Sequence, residues 1–404
     1  KSDMNILEVK DLCKTYVVNK RQNNVLRNVS FRVSKGEMTA VMGPSGSGKS
    51  TLLYAVSGMD GITAGEAKFC GRDISRMNRK ELAELMGVSG PSQIALGPNS
   101  TWGLNQAIFG YPLEPGDAVL STRAEHNAVL RPLRVLEQKG IRVRKLPVDA
   151  VGRVSVSQWK QALEADHPRL CILNHASNVT GAVNDVPALA GAAKEAGADF
   201  LLDVSQTLGC IPVELEQWKV DMAAFTGHKY LLGPQGTGGV YVRGGLELTP
   251  HMVGGTGVMS DLKEMPREMP LHLEAGTGNE PSFHGLLAAL RWRKHPLDRK
   301  ALSGRTRRLT DGLVKLGCRV ILPGEPSTPV VSFVIPGVAS SDAADILTGS
   351  YDIVLRSGLH CAPEIMEGIG MAGGTLRFSL SRFTTEEEVE QVLQAVRDVV
   401  ESGI

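Results

Sequence analysis

Short apolar runs alternate with longer periodic runs through the middle of the chain, and this alternation limits the folds open to it. Four runs have the apolar composition of strands: residues 118–120, 169–173, 200–202 and 239–243. Two intervening runs have helical periodicity and end in a glycine: residues 127–140 and 186–197. The pattern predicts an α/β fold with a mostly parallel sheet, whose functional residues collect at the carboxyl ends of the strands.

A lysine lies at the end of another apolar run. Residues 224–243 read AFTGHKYLLGPQGTGGVYVR, so Lys229 precedes a loop rich in glycine. A lysine there is well placed to form a Schiff base with an aldehyde cofactor such as pyridoxal phosphate (PLP), which also needs an acidic partner for its ring nitrogen. Asp203, at the end of residues 200–203 (FLLD), is the candidate partner. The alternative is that Lys229 is structural.

Small polar motifs follow other predicted strands. Residues 99–103 (NSTWG) would open a helix with the hydroxyls of Ser100 and Thr101, as a phosphate site does, although a simple helix cap is the alternative. His126 follows the strand at 118–120, where a structural histidine is the alternative. Residues 174–181 (NHASNVTG) and 274–279 (EAGTGN) are further small-residue loops that carry amides and hydroxyls.

One of the six cysteines has surroundings that suit a nucleophile. Cys361 lies in residues 354–363 (VLRSGLHCAP), beside His360 and near Arg356, and neighbouring positive charge favours a thiolate. A structural cysteine is the alternative. The other five are interpreted as small buried hydrophobic residues: Cys13, Cys70, Cys171, Cys210 and Cys318. The cysteines form no CxxC pair and have no metal-ligand spacing, so a reducing cytoplasm is the expected location.

The bulk composition is that of an ordinary globular protein of two or three domains. The chain has 404 residues, of which 42% are hydrophobic and 22% are charged, and its formal net charge is +1. We therefore expect no nucleic-acid partner. We also expect no membrane insertion, because no apolar run is long enough to cross a bilayer.

The first 85 residues carry a different signal. Residues 43–51 read GPSGSGKST, between a predicted strand at 38–42 and a predicted helix from residue 52, which is the context of a phosphate-binding P-loop. Lys49 would reach the phosphates of ATP, and Ser50 would ligate Mg²⁺. The remaining predicted contacts come from the loop, the start of the helix and an aromatic side chain: Gly43, Ser45, Gly46, Gly48, Thr51 and Tyr16.

This segment resembles the start of an ABC transporter ATP-binding subunit, of the type that exports antimicrobial peptides and lipoproteins. By that resemblance Tyr16 would stack on adenine. The resemblance then stops, because the sequence has no Q-loop glutamine, LSGGQ-type signature, Walker B Asp-Glu pair or switch histidine downstream. Val204 stands after Asp203, where a catalytic glutamate would be needed. ABC-type hydrolysis is therefore not expected, and the alternative to nucleotide binding is a truncated P-loop fold that binds no ATP.

Residues 86–404 resemble a class V aminotransferase-fold, PLP-dependent cysteine desulfurase, of the branch related to SufS-type and selenocysteine-lyase enzymes. The resemblance implies a fold type I large domain at 86–296 and an α+β small domain at 297–404. The preceding residues, 1–85, would then be a partial ABC domain. Residues 79–85 (RKELAEL) suit either family. The sequence leaves open whether the junction is a natural fusion, an engineered chimera or an assembly artefact.

The resemblance assigns a role to each candidate residue. Lys229 would hold PLP, Asp203 would pair with its ring nitrogen, and His126 would stack on its ring. Gln206 and Asn178 would contact the ring oxygen and the substrate side. The phosphate would be held by hydroxyls and one histidine: Ser100, Thr101, Thr226 and His228. Thr277 would reach the phosphate bound by a partner subunit, which implies a homodimer.

The resemblance also implies the reaction. Cys361 would attack the sulfur of a PLP-bound cysteine and become a persulfide, and alanine would leave. Arg377 would bind the substrate carboxylate, with Arg356 and Asn178 also on the substrate side. Cysteine or selenocysteine as substrate, and a sulfur-acceptor protein as partner, follow from the same likeness. The alternatives are a fragment of an ABC transporter ATP-binding subunit and an inactive chimera of the two proteins.

The end of the chain predicts an amphipathic helix. Thr384 and Glu387 would form a capping box at its start. Its apolar residues share one face: Val389, Val392, Leu393, Val396, Val399 and Val400.

Overall fold

The computed structural model contains three β-sheets that follow one another along the chain. It describes residues 5–18, 21–44, 46–57, 62–69, 72–73, 78–257, 259, 261–293 and 297–402. Ser45, which the sequence places among the nucleotide contacts, therefore lies outside the described residues.

The first sheet is antiparallel and small. Its strands lie in the order β2-β1-β3-β4, and a helix, α1, precedes the third strand. The bounds of these elements are β1 Asn5–Val18, β2 Arg21–Ser34, α1 Lys49–Ser57, β3 Ala64–Phe69 and β4 Arg72–Asp73. Ala55 of α1 and a few apolar side chains of the sheet form their own cluster: Val9, Leu12, Leu26 and Ala67.

The strand predicted at residues 38–42 is wrong. These residues form no strand, and Met38 and Met42 are 98% and 87% exposed. A strand needs hydrogen-bonding neighbours, and in the described part of the chain none lies beside this segment. A helix does follow the loop, as predicted, although α1 begins at Lys49 rather than at residue 52. The Lys49 ammonium donates to the carbonyl oxygens of Gly43 at 2.8 Å and Pro44 at 2.6 Å.

The other residues predicted to contact a nucleotide also lie within the first unit. The Tyr16 ring receives the Lys14 ammonium 4.8 Å from its centroid. Gly46 and Gly48 have φ angles of 80° and 85°, which suit glycine in a tight loop. Ser50 and Thr51 belong to the first turn of α1.

A helix covers the predicted junction and packs with the large domain. This helix, α2 (Asn78–Met86), buries Leu82 and Met86 in the core of the second sheet. Arg79 donates to both carboxylate oxygens of Glu274, at 2.7 and 2.8 Å. The boundary at residues 85 and 86 stays a prediction, but the contacts of α2 lie on the large-domain side.

The second sheet has seven strands in the order β5-β11-β10-β9-β8-β6-β7. Strands β10, β9, β8, β6 and β7 run parallel, whereas β11 is antiparallel to both of its neighbours. The strands are β5 Ile94–Gly97, β6 Ala118–Thr122, β7 Arg142–Leu146, β8 Leu170–Asn174, β9 Asp199–Asp203, β10 Met222–Thr226 and β11 Gly238–Val242. The predicted α/β fold with a mostly parallel sheet is confirmed.

Helices cover both faces of this sheet. They are α3 Ser100–Gly110, α4 Asn127–Gln138, α5 Val156–Asp166, α6 Val186–Glu195 and α7 Glu280–Trp292. Two apolar cores result, one on each face. Because both faces are buried, the central strands are continuously apolar rather than alternating. Their polar residues are confined to strand ends, where Asn174, Asp203 and Thr226 end three neighbouring strands at one edge.

The third unit is an antiparallel sheet with helices packed against it. Its strand order is β12-β13-β15-β14, from β12 Arg319–Val320, β13 Val330–Val334, β14 Arg356–Gly358 and β15 Thr375–Ser379. Its helices are α8 Arg299–Lys315, α9 Ser340–Tyr351, α10 Pro363–Gly368 and α11 Glu386–Ser402. This α+β unit has its own core, which includes the predicted apolar face of α11.

The predicted capping box is displaced by one residue. The Thr385 hydroxyl accepts from the Glu388 N–H at 3.1 Å, and the Glu388 carboxylate accepts from the Thr385 N–H at 2.8 Å. Thr384 instead accepts from the N–H of Ser381 at 3.0 Å. The reciprocal pair therefore forms between Thr385 and Glu388, not between Thr384 and Glu387.

No helix in the described ranges is long and apolar enough to cross a membrane.

Candidate active site

A pocket opens at the carboxyl edge of the large sheet. It is lined by residues from the ends of β8 and β9 and from the loops after β5, β6 and β10: Ser100, His126, Asn174, Ala176, Asn178, Asp203, Ser205, Gln206 and Lys229. Six of the predicted site residues therefore meet here, from segments far apart in sequence. The parallel strands bring them together, because their carboxyl ends share one edge.

Lys229 follows β10 and reaches into this pocket. Its pKa is lowered, mainly because burial penalises the charged ammonium; Arg377 acts in the same direction and Asp203 opposes it. Burial therefore favours the neutral amine, which is the form that can react with an aldehyde.

Asp203 ends β9 and is held by the next turn. Both the N–H and the hydroxyl of Ser205 donate to its Oδ1, the former at 2.9 Å. The carboxylate is buried and lines the pocket with Lys229. These bonds fix its orientation, as a partner for a cationic ring nitrogen requires.

His126 is the N-cap of helix α4. Its Nδ1 accepts the N–H of Ala128 at 3.0 Å. An accepting Nδ1 carries no proton, so the hydrogen of the neutral ring lies on Nε2. The pKa of His126 is lowered, mainly by burial, while Asp203 acts in the opposite direction. The ring is therefore a neutral, flat surface in the pocket wall.

The start of helix α3 contributes Ser100 to the pocket. Asn99 caps it by accepting the N–H of Trp102 at 2.9 Å, and Ser100 and Thr101 form its first turn. Strand β11 passes so close that a Cβ on Gly238 would lie 2.6 Å from the Cα of Asn99. Nearby along the sheet edge, Thr226 Oγ1 lies 2.8 Å from His228 Nδ1. A helix N-terminus flanked by hydroxyls suits a phosphate group.

Cys361 lies on an exposed turn between β14 and α10. Its carbonyl oxygen accepts the N–H of Asn127 at 2.7 Å, so the turn touches the start of α4 beside His126. The Asn178 amide donates to the carbonyl of His360 at 2.7 Å. The small domain therefore brings its cysteine to the mouth of the large-domain pocket.

The His360 imidazole is not the positive charge that the sequence suggested beside Cys361. The ring is buried, and its Nε2 lies 2.9 Å from Thr375 Oγ1. Burial, with Arg377 and Arg356, lowers the pKa of His360 to about 4, so the ring is neutral near pH 7. The neighbouring cations are the two arginines.

Arg377 joins the two domains. Its Nη1 donates to the carbonyl oxygen of Asn178 at 2.9 Å, and Arg356 stands directly opposite it across β14 and β15. The pKa of Arg377 is lowered, mainly by burial and then by Arg356, while Tyr230 and Cys361 act in the opposite direction. Its Nε is buried without a hydrogen-bond partner among the described residues. An anionic ligand would satisfy that group.

Some predicted site residues do not line the pocket. Arg356, Cys361 and Arg377 lie on the small-domain side, Thr226 is buried, and His228 is exposed. Thr101 and Thr277 are exposed, and Thr277 lies in the loop that precedes α7.

Several residues in and around the pocket had no predicted role. Asn174 and Ser205 line it, and both follow the rule that polar residues at strand ends face a site. Glu125 lies beneath it, fully buried, and accepts from the Thr122 hydroxyl at 2.7 Å. Burial raises the pKa of Glu125 to about 8. A glutamate directly before His126 was the available signal.

An α/β fold with a lysine, a carboxylate and a helix N-terminus around one pocket fits a PLP-binding protein of fold type I. The family model for aminotransferase class V matches residues 69–392. Among curated proteins, a probable cysteine desulfurase of Methanothermobacter thermautotrophicus is 31% identical over 343 residues, covering 80% of this chain and 83% of that protein. Cysteine desulfurase CsdA of Escherichia coli is 32% identical over 335 residues, covering 80% and 82%.

Solved structures agree. The apo structure of a cysteine desulfurase from Thermococcus onnurineus has a TM-score of 0.75 and 30% identity, covering 80% of this chain and 83% of that one. The crystal structure of Escherichia coli CsdA has a TM-score of 0.75 and 28% identity, covering 90% and 88%. The chain belongs to the aminotransferase class V family and, within it, to the PLP-dependent cysteine desulfurases. The family model leaves residues 1–68 outside its match.

Proposed function

We propose that this enzyme converts L-cysteine to L-alanine and keeps the sulfur as a persulfide on Cys361. The observation that carries the proposal is the contact between the Cys361 turn and the wall of the pocket that holds Lys229 and Asp203. A nucleophilic thiol at the mouth of such a pocket can reach the side chain of an amino acid whose amine is held inside.

The described residues fit PLP. Lys229 would bind its aldehyde, Asp203 its ring nitrogen, and the neutral His126 ring would lie against its face. Gln206 and Asn178 would contact the ring oxygen. The hydroxyls at the start of α3, with Thr226 and His228, would hold the phosphate. When bound, PLP supplies an electron sink for a carbanion at the substrate α-carbon.

Arg377 would bind the substrate carboxylate. Its buried Nε lacks a described partner, and Arg356 faces it across the sheet. Two guanidinium groups in register on neighbouring strands repel each other, so a carboxylate between them would be stabilising. We expect Arg356 to contribute less than Arg377 to binding the carboxylate, because Arg356 is exposed.

Lys229 would also move the proton. Burial lowers the pKa of its ammonium, so the free amine can take the proton from the substrate α-carbon. Asp203 acts to raise the pKa of Lys229, so the Lys229 nitrogen can also hold the proton and return it.

Cys361 would take the sulfur. Its thiolate attacks the substrate Sγ, a sulfur–sulfur bond forms, and the substrate carbon–sulfur bond breaks. The electron pair of that bond remains on the substrate carbon, which gains a proton to become the methyl group of alanine. Cys361 is thereby oxidised to the persulfide and the substrate carbon is reduced, so no external oxidant is needed.

The partners follow from this chemistry. A persulfide must be passed to a sulfur acceptor, and the exposed position of Cys361 would admit an acceptor protein. We propose a homodimer in which the exposed loop bearing Thr277 meets the phosphate site of the partner subunit. A reducing cytoplasm would keep the thiol free. Selenocysteine is the alternative substrate.

Nucleotide binding by residues 43–51 is not part of this proposal. The segment before the loop is exposed and forms no strand, and the Lys49 ammonium is bonded to the loop's own carbonyl groups. The sequence signal for ATP and Mg²⁺ therefore has no further support from the described part of the chain.

The test is the visible absorbance of the purified protein with PLP, before and after L-cysteine, followed by alanine and sulfide assays. We expect a cofactor band that changes with cysteine, and alanine in step with sulfur on Cys361. Cys361→Ala should keep the band and lose alanine release. A protein that leaves PLP free, or makes alanine equally well without Cys361, would contradict the proposal.

A further inference from the structure

The turn that carries Cys361 has two consecutive residues in the left-handed region. His360 and Cys361 have φ angles of 51° and 58°, and neither is glycine. Each such residue costs on the order of 1 kcal/mol and persists only where surrounding contacts hold it. The contacts that hold this turn therefore set the position of the thiol.

The carbonyl groups of both residues are held by the large domain. The His360 oxygen accepts the side-chain amide of Asn178, and the Cys361 oxygen accepts the main-chain N–H of Asn127, each at 2.7 Å. Within the turn, the N–H of Ala362 donates to the carbonyl of Leu359 at 2.9 Å. The turn is thus closed on itself and tied at two points to the pocket wall.

The donor at Cys361 belongs to a helix start that also fixes His126. The N–H groups at the start of an α-helix have no partner within the helix. In α4 the Ala128 N–H donates to the His126 ring, and the Val129 N–H to the His126 carbonyl at 2.8 Å. The N–H of Asn127, the first residue of the helix, is the one that reaches Cys361. One turn of helix therefore holds both the imidazole and the nucleophile's backbone.

We propose that Asn127 is a positioning residue of this enzyme, whose main-chain N–H fixes the distance between Cys361 and the pocket wall at His126. The inference rests on the proposed function, because it concerns the step in which Cys361 takes sulfur. The side chain of Asn127 has no part in it.

The geometry offers a clean test. Asn127 is the first residue of α4, where proline is tolerated because no helical hydrogen bond is lost. The residue before a proline prefers extended backbone, and His126 already has φ −69° and ψ 155°. Asn127→Pro therefore removes the donor to Cys361 and keeps α4, and its ring carbon takes the place of the amide hydrogen, so the Cys361 turn must also move away from the helix. Asn127→Ala, which keeps the N–H, is the matched control.

Each full-length variant would be loaded with PLP and given L-cysteine in a single turnover. We expect Asn127→Pro to keep the cofactor band and its first change with cysteine. We expect the gain of sulfur by the Cys361 peptide, followed by mass spectrometry, to slow about tenfold, the order expected for one hydrogen bond. The rate of Cys361 alkylation by iodoacetamide should also change, and Asn127→Ala should match the unmodified protein in every measurement.

Equal sulfur-transfer rates in the proline and alanine variants of a working enzyme would overturn the inference. Loss of PLP binding in Asn127→Pro alone would also overturn it, since the role would then be structural. If the unmodified protein makes no alanine, the proposed function fails. The inference is then judged on alkylation, where equal rates would refute it. If Asn127→Pro does not fold, hydrogen exchange of the Asn127 amide decides: slow exchange supports the bond, and unprotected exchange overturns it.

Discussion

The Arg377 guanidinium donates from Nη1 to the main-chain carbonyl oxygen of Asn178, 2.9 Å away. The bond crosses from strand β15 of the small domain to the loop after β8 in the large domain. The same Asn178 donates its side-chain amide to the carbonyl of His360. The proposed carboxylate-binding arginine and the nucleophile turn therefore share one residue of the cofactor pocket.

Arg377→Lys should weaken substrate binding. Lysine keeps the charge but lacks the planar fork that can hold both Asn178 and a carboxylate. We expect kcat/KM for L-cysteine to fall about 10- to 100-fold, mostly through KM, as for loss of a charge-assisted hydrogen bond. Arg319→Lys, on the exposed edge strand of the same sheet, should change neither constant. An unaltered KM in Arg377→Lys would remove this residue from the substrate site.

Lys229 and Lys49 are the two lysines that the sequence predicts to bind a phosphate-bearing ligand, and replacing them should have different effects on the cofactor band. Lys229→Ala should abolish the visible cofactor band, because no other described lysine lines the pocket. Lys49→Ala should leave the band and the alanine assay unchanged, since the hydrogen bonds that its ammonium makes within the described residues are to loop atoms of the first unit. Absorbance spectra of both variants with added PLP check this. A band retained by Lys229→Ala would mean that the cofactor is bound elsewhere.

Glu125 should give the stability a distinctive pH dependence. Burial raises its pKa from 4.5 to about 8, so the folded state keeps a proton that the unfolded chain releases. This contribution is complete below pH 4.5 and is lost as the pH rises toward 8. Between pH 5 and 7 it should remove about 2 to 3 kcal/mol from the free energy of unfolding.

Glu125→Gln is neutral at every pH and should lack this loss. In urea unfolding, the free energy of unfolding of Glu125→Gln should therefore rise relative to that of the unmodified protein as the pH rises from 5 to 7. Glu84→Gln, an exposed glutamate on α2, serves as the control and should follow the unmodified protein. Parallel curves for Glu125→Gln and the unmodified protein would show that this carboxyl group is ionised in the folded state.

In the first unit, the local sequence pattern predicted one element correctly and one wrongly, and tertiary context explains the difference. Residues from 52 onward have a helical pattern of their own, and the predicted helix forms there, beginning three residues earlier at Lys49. The apolar run at 38–42 has the pattern of a strand but is exposed coil, because a strand forms only against a neighbour and the described chain supplies none there.

By itself the sequence determined the alternating strands and helices, the parallel sheet and the residues at strand ends, including Lys229, Asp203 and His126. Those features depend on local periodicity and on the rule that parallel strands share an edge. Only the tertiary structure decided that the Cys361 turn is tied to Asn127 and Asn178, that His360 points inward as a neutral ring, and that Glu125 lies beneath the site. These depend on main-chain atoms and burial, which side-chain patterns do not encode.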